Sequence, residues 1–172
     1  MTPTLQILFL VVWANAAPVL TRLLLGHRLN CPLDGGRILA DGRPLLGTSK
    51  TWRGLAAAIL TTPLLSAILG LSWIIGLVVA VGAMLGDVIA SFIKRRMGRR
   101  PSEPVFLLDQ IPEALIPVLA LQGVLGLSLV QVAIVVIAFT LIDLALTPLA
   151  RCLRCWSKGL PVRFRHKSGK GG

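Results

Sequence analysis

Five apolar runs, at 5–25, 55–71, 73–92, 114–127 and 129–149, leave this chain few choices of fold. About twenty apolar residues in helix span the hydrocarbon of a bilayer, and four of the five runs approach that length. In lipid every backbone polar group must be satisfied within the chain, which a helix achieves alone. Composition agrees: 55% of the 172 residues are hydrophobic, only 15% are charged, and mean hydropathy is +0.80. An ordinary soluble domain carries about a quarter charged residues. The expected architecture is all-α: a polytopic integral membrane protein of five transmembrane helices. A single catalytic domain over 1–150 carries loops at 26–53 and 93–110, and a basic tail follows at 151–172.

The charges orient this bundle. All 18 Lys and Arg residues fall in three stretches, 22–53, 94–100 and 151–170, and none falls in 1–4, 70–73 or 121–128. Five spans put those three stretches on one side, whereas four or six would split them. The positive-inside rule then places the N-terminus outside and the C-terminus in the cytoplasm, in the cell membrane. A net charge of +11 also suits a nucleic-acid binder. Here, however, the cations border apolar runs, stacking aromatics are scarce and Tyr is absent, so we expect no nucleic-acid partner. Loops this basic attract phosphate groups and anionic lipid instead.

Two short signals lead nowhere. Ala14-Asn15-Ala16 resembles a signal-peptidase site, but no cation precedes the first run, so that run is expected to be retained, with Arg22 snorkelling to the interface. Cys152 and Cys155 form a CxxC, yet a zinc site needs two further ligands, and only Cys31 and His166 stand in reserve.

The chemistry concentrates at 86–110. Asp87 lies inside the third run, the cations Lys94, Arg95, Arg96, Arg99 and Arg100 follow, and Asp109 closes the stretch. Ionisable groups within membrane segments are costly and are functional candidates by default. At about 100° per residue, Ser91, Lys94 and Arg95 fall roughly 40°, −20° and 80° from Asp87, on one helix face. A carboxylate with a hydroxyl and two cations suits a divalent metal held against phosphate oxygens. Pairing of Asp87 with Lys94 or another cation, for tolerance alone, fits equally well. Gly82 and Gly86 form a GxxxG that would let another helix approach closely, and Pro117 is placed to kink the fourth span.

The loop at 26–53 adds Asp34, Asp41, Lys50 and Arg53. Lys50-Thr51 is not a P-loop, because the glycines that motif needs are replaced by Pro44 and Ser49. A Gly/Lys/Thr/Arg loop still offers backbone N–H groups and cations to phosphates. Asp34-Gly35 and Asp41-Gly42 are each explained by ordinary turn chemistry. Oxygen ligands without accompanying histidines favour Mg²⁺ or a similar hard cation.

Ser91-Phe92-Ile93-Lys94-Arg95 resembles the core of the phosphatidate cytidylyltransferase signature. Asp41-Gly42-Arg43, Gly47 to Gly54 with its Lys-Thr-Trp-Arg-Gly, Gly86-Asp87 and Leu107-Leu108-Asp109-Gln110 together resemble the shorter CDP-archaeol synthase family. The K-D and H-G-G elements of the diacyl signature are missing after Arg95. The resemblance implies that CTP and a membrane lipid phosphate, of prenyl ether type, give CDP-lipid and pyrophosphate with Mg²⁺, at a site on the cytoplasmic face. It implies Asp87 and Asp109 as metal ligands and Lys50, Arg53, Lys94 and Arg95 as the catalytic cations. Asp41, Gly42, Gly47, Thr51 and Ser91 are then the substrate-binding residues. The alternatives are a synthase acting on diacyl phosphatidate, a non-enzymatic binder of anionic lipid, and a small transporter using Asp87 and Asp143 as proton relays.

Overall fold

The computed structural model describes residues 2–26, 28–100 and 105–157, with side chains as far as 148. Among these residues the chain forms five α-helices: α1 Pro3–Leu25, α2 Trp52–Ile68, α3 Trp73–Arg96, α4 Gln110–Leu125 and α5 Leu129–Ser157. Each apolar run has become one helix. Three of the helices, Pro3–Leu25, Trp73–Arg96 and Leu129–Pro148, are long and apolar enough to cross a membrane, while α2 and α4 have 17 and 16 residues. At 1.5 Å per residue those two are about 25 Å long.

Helix ends follow local chemistry. Thr51 caps α2 by accepting from the Gly54 N–H, and Ser72 caps α3 by accepting from Ile74. Lys94, Arg95 and Arg96 occupy the last turn of α3, where cations complement the negative end of the helix dipole. Two boundaries differ from expectation. Helix α4 begins at Gln110, one residue before the extension over 111–113 that the fourth run allows, so Gln110 and Glu113 are both helical. Helix α5 continues through 151–157, so the expected tail starts as helix; the rest of the tail, 158–172, lies outside the described residues.

Helix α3 is the hub, packed against α1, α2 and α4, while α5 closes the bundle against α1 and α4. Ile7, Leu10, Val11 and Ala14 of α1, Val79 and Ala83 of α3, Val118 of α4 and Phe139 of α5 meet in a buried core. The outer faces carry exposed Leu24, Leu64, Ile68, Val130 and Leu141, as expected where lipid is the solvent. Small residues set the closest approach. A Cβ at Gly82 would lie 2.9 Å from Pro117 Cα, and one at Gly86 would lie 2.6 Å from the Glu113 nitrogen. The GxxxG therefore serves α4, whose own irregular segment at Pro112 and Pro117 nests against it.

The 26–53 loop is folded although it contains no helix. Isolated antiparallel bridges pair Pro32 with Thr51 and Ile38 with Pro44. Backbone bonds from Leu33 N–H to the Lys50 carbonyl (2.8 Å) and from Trp52 N–H to Cys31 (3.1 Å) close its base. Asp34 is buried and organises the interior: one oxygen accepts from Gly36 N–H, the other from Leu46 (2.8 Å) and Gly47 (3.0 Å). Burial pushes its pKa up, but these three N–H groups outweigh that and hold the carboxyl below its ordinary value. Asp34 thus does more than the turn its Asp-Gly suggested, joining residues 12 and 13 positions apart.

Candidate functional site

One end of the bundle gathers the ionisable groups. Ser91, Lys94 and Arg95 are all buried on the α3 face that also carries half-buried Asp87, as the helical spacing requires. Asp87 is bound by the ammonium of Lys50, delivered by the closing strand of the 26–53 loop. Lys94 pairs instead with Asp109, Nζ to Oδ1 at 2.6 Å. The two aspartates therefore take different lysines, and of the cations open to Asp87 it is Lys50 that pairs with it. Asp109 sits just before α4, where its side chain also accepts from Val105 N–H (3.3 Å).

Sequence reasoning missed Glu113. It is buried on α4, and its carboxyl lies close enough to that of Asp87 for the two acids to interact. Gly86 makes this possible, since α4 passes over it at the Pro112–Glu113 peptide. The signal was present as the single carboxylate beside the fourth run, one turn past Asp109. Neighbouring Gln110 donates to Asp143 on α5 (2.8 Å), tying the third helix end into the cluster. Lys50 lies outside the apolar helices. Burial works against its charge, but Asp87 first, then Glu113 and Asp109, hold its pKa above the ordinary lysine value.

A cleft opens beside this cluster between the ends of α1, α2 and α3. Lys50, Arg53, Arg22 and Asp87 give it charge, Thr48, Ser49 and Thr51 give it hydroxyls, and Pro18, Leu55, Met84 and Val88 form an apolar wall. Arg53 is braced by the Arg28 carbonyl and Asn30 Oδ1, and Arg95 donates to the Arg100 carbonyl at 2.7 Å. Arg22, expected at the membrane interface, is exposed at the end of α1 and also lines this cleft.

Other expected residues lie apart. Asp41 and Gly42 form the tip of an exposed hairpin outside the cleft. Asp41 accepts from Arg43 N–H and pairs with Arg96, while Arg43 and Arg96 each donate to carbonyls across the hairpin and the end of α3. Gly47, with φ +88°, donates to Asp34 and shapes the loop, whereas Thr51 both caps α2 and lines the cleft.

Among the described residues no three acidic, His or Cys side chains form a ready-made cage. Asp87 and Glu113 nevertheless lie close together, with Asp109 one turn earlier at the start of α4. Mg²⁺ is commonly held by one or two carboxylates plus substrate phosphates, so the residues present fit it.

Five helices with a carboxylate-bearing cationic cleft at one end define a membrane-embedded α-helical protein whose polar chemistry sits at the bundle's rim. A family model described as CarS-like, CDP-archaeol synthase, matches residues 3–153, and the chain belongs to that family. It is 40% identical over 119 residues to the CDP-archaeol synthase of Hyperthermus butylicus, covering 64% of this chain and 68% of that one. With the CDP-archaeol synthase of Thermofilum pendens it shares 36% over 143 residues, covering 80% and 70%. A solved structure described as an intramembrane enzyme for archaeal membrane lipids biosynthesis superposes with a TM-score of 0.63 at 31% identity, over 81% of this chain and 91% of its own. The chain is an integral membrane protein.

Proposed function

We propose that this protein is the CTP-dependent cytidylyltransferase of archaeal lipid biosynthesis, making CDP-archaeol from a prenyl-ether glycerol phosphate. The single observation that carries the reading is the Asp87–Lys50 pair, a membrane-helix carboxylate and a loop ammonium meeting at the wall of a cationic cleft. An oxygen of the lipid phosphate attacks the α-phosphorus of CTP. A new P–O–P link forms, the α–β bond breaks, and pyrophosphate leaves with the electron pair. The second pKa of a phosphate monoester is about 6, so the nucleophile is already dianionic at neutral pH and no general base is required.

Lys50 and Arg53 on the cleft wall, with Lys94 and Arg95 beyond Asp87, neutralise the triphosphate and the charge growing on the leaving group. Asp87, with Glu113 close by, would hold Mg²⁺ together with substrate phosphates, Asp109 joining on release from Lys94, and the ion would polarise the triphosphate. Thr51 offers a hydroxyl in the cleft, with buried Ser91 one turn beyond Asp87 on α3, and the walls of α1, α2 and α3 limit water at the reacting phosphates.

The topology belongs to the same proposal: all five helices span, with the cleft on the cytoplasmic face and the N-terminus outside. Its support is that the stretches 22–53 and 94–100, which carry 11 of the 18 cations, converge on one end of the bundle through Lys50–Asp87 and Arg96–Asp41.

Purified protein given radiolabelled CTP, Mg²⁺ and a prenyl-ether glycerol phosphate is expected to form labelled lipid and one equivalent of pyrophosphate. Absence of both products from folded protein would refute the assignment. Diacyl phosphatidate in a parallel assay reads the chain preference.

A further inference from the structure

We propose that Arg22 is the residue that grips the phosphate of the incoming lipid, a role that rests on the cytidylyl-transfer reading. Arg22 stands in the last turn of α1. It lies one helical turn beyond Pro18, which lines the same cleft, and is itself exposed. Arg22 therefore borders the cleft from its open side, where the end of α1 meets the loop.

The other cations of the cleft have partners: Lys50 has Asp87, and Arg53 has the Arg28 carbonyl and Asn30. Among the described residues Arg22 makes no hydrogen bond or ion pair, and it shares the cleft with the apolar wall of Pro18, Leu55, Met84 and Val88. A lone guanidinium between a hydrocarbon-lined wall and a metal-competent carboxylate matches an amphiphile with an anionic head. Its planar fork binds a phosphate through two parallel N–H···O contacts. CTP, arriving from water, meets the loop residues Thr48 to Thr51 first. The lipid, arriving along the bilayer, meets α1.

The test compares wild type, Arg22→Gln and Arg22→Lys in nanodiscs, varying the mole fraction of a prenyl-ether glycerol phosphate at saturating CTP and the reverse. Arg22→Gln is expected to raise KM for the lipid phosphate about tenfold or more. KM for CTP should stay within about twofold, and Arg22→Lys, which keeps the charge and loses the fork, should fall between. A lipid KM that does not move, or a shift in KM for CTP of the same size, overturns the proposal. Direct partition of labelled lipid phosphate against its neutral alcohol onto the same proteins is read alongside. If wild type transfers no cytidylyl group, the catalytic reading has failed, and this binding arm alone decides Arg22: retained phosphate preference in Arg22→Gln overturns its role.

Discussion

Asp87 on α3 and Glu113 on α4 bring their carboxyl groups close together, one residue beyond the point where α4 crosses Gly86. This joins helix packing to chemistry, because whatever sets the α3–α4 approach also sets the spacing of the acids. Lys50, from a different segment, is the cation that balances them.

Asp87→Asn keeps the shape of the side chain and removes its charge. We expect turnover to fall by about a hundredfold or more, at least roughly 2.7 kcal/mol of barrier, in protein that remains folded. If Asp87 only neutralised Lys50, the pair Asp87→Asn with Lys50→Gln would recover activity by removing the orphaned ammonium. CTP incorporation at saturating Mg²⁺ for each single variant and the pair decides between the roles.

Glu113→Gln keeps a polar side chain beside Asp87 and deletes a negative charge. Turnover is expected to drop about tenfold or more, with the half-saturating Mg²⁺ concentration shifted upward. A Mg²⁺ titration of activity checks this, and an unchanged titration with normal turnover would assign Glu113 to packing alone.

Gly86→Ala forces a Cβ to within 2.6 Å of the Glu113 nitrogen, so one helix must move. Overpacking of this kind typically costs about 1–3 kcal/mol, and here it also spreads the acids. Thermal unfolding in detergent should show a lowered midpoint and the assay a loss of turnover. Gly123→Ala, whose added methyl meets nothing within 4 Å, should leave both unharmed.

Asp34→Asn tests the loop. The folded carboxyl sits below its ordinary value, so its contribution is fully present above the unfolded pKa and disappears as pH falls through the lower folded one. At neutral pH the variant leaves an N–H of Leu46 or Gly47 poorly matched, at roughly 1–3 kcal/mol for a buried group. Amide exchange at Gly36, Leu46 and Gly47 should therefore be faster in the variant near neutrality. The difference should close in acid; one that persists at low pH would mean that charge is not what Asp34 supplies.

Single cysteines at Arg43 and Arg99, in a background lacking Cys31, Cys152 and Cys155, should resist a membrane-impermeant thiol reagent in intact cells and react after opening. Labelling of either in closed cells would overturn the orientation.

Much of this arrangement was legible in the chain. Apolar run length dictated five helices, because each run had to satisfy its own backbone, and the 3.6-residue period placed Asp87, Ser91, Lys94 and Arg95 on one face before any neighbour was known. The glycines at 82 and 86 announced a close helix contact for the same steric reason that now seats Pro117 and Pro112. These are properties of one segment, and local covalent geometry suffices for them. Partnership is not such a property. Only the folded chain decided that Asp87 takes Lys50, 37 residues away, while Lys94 turns to Asp109. Only the fold brought Glu113 onto Asp87 and Arg22 into the cleft, while keeping Asp41 and Gly42 out on an exposed hairpin. Ion pairs form between whichever charges the helix crossings and loop closures bring within a few ångströms. That distance is set by packing between segments, which no single segment encodes.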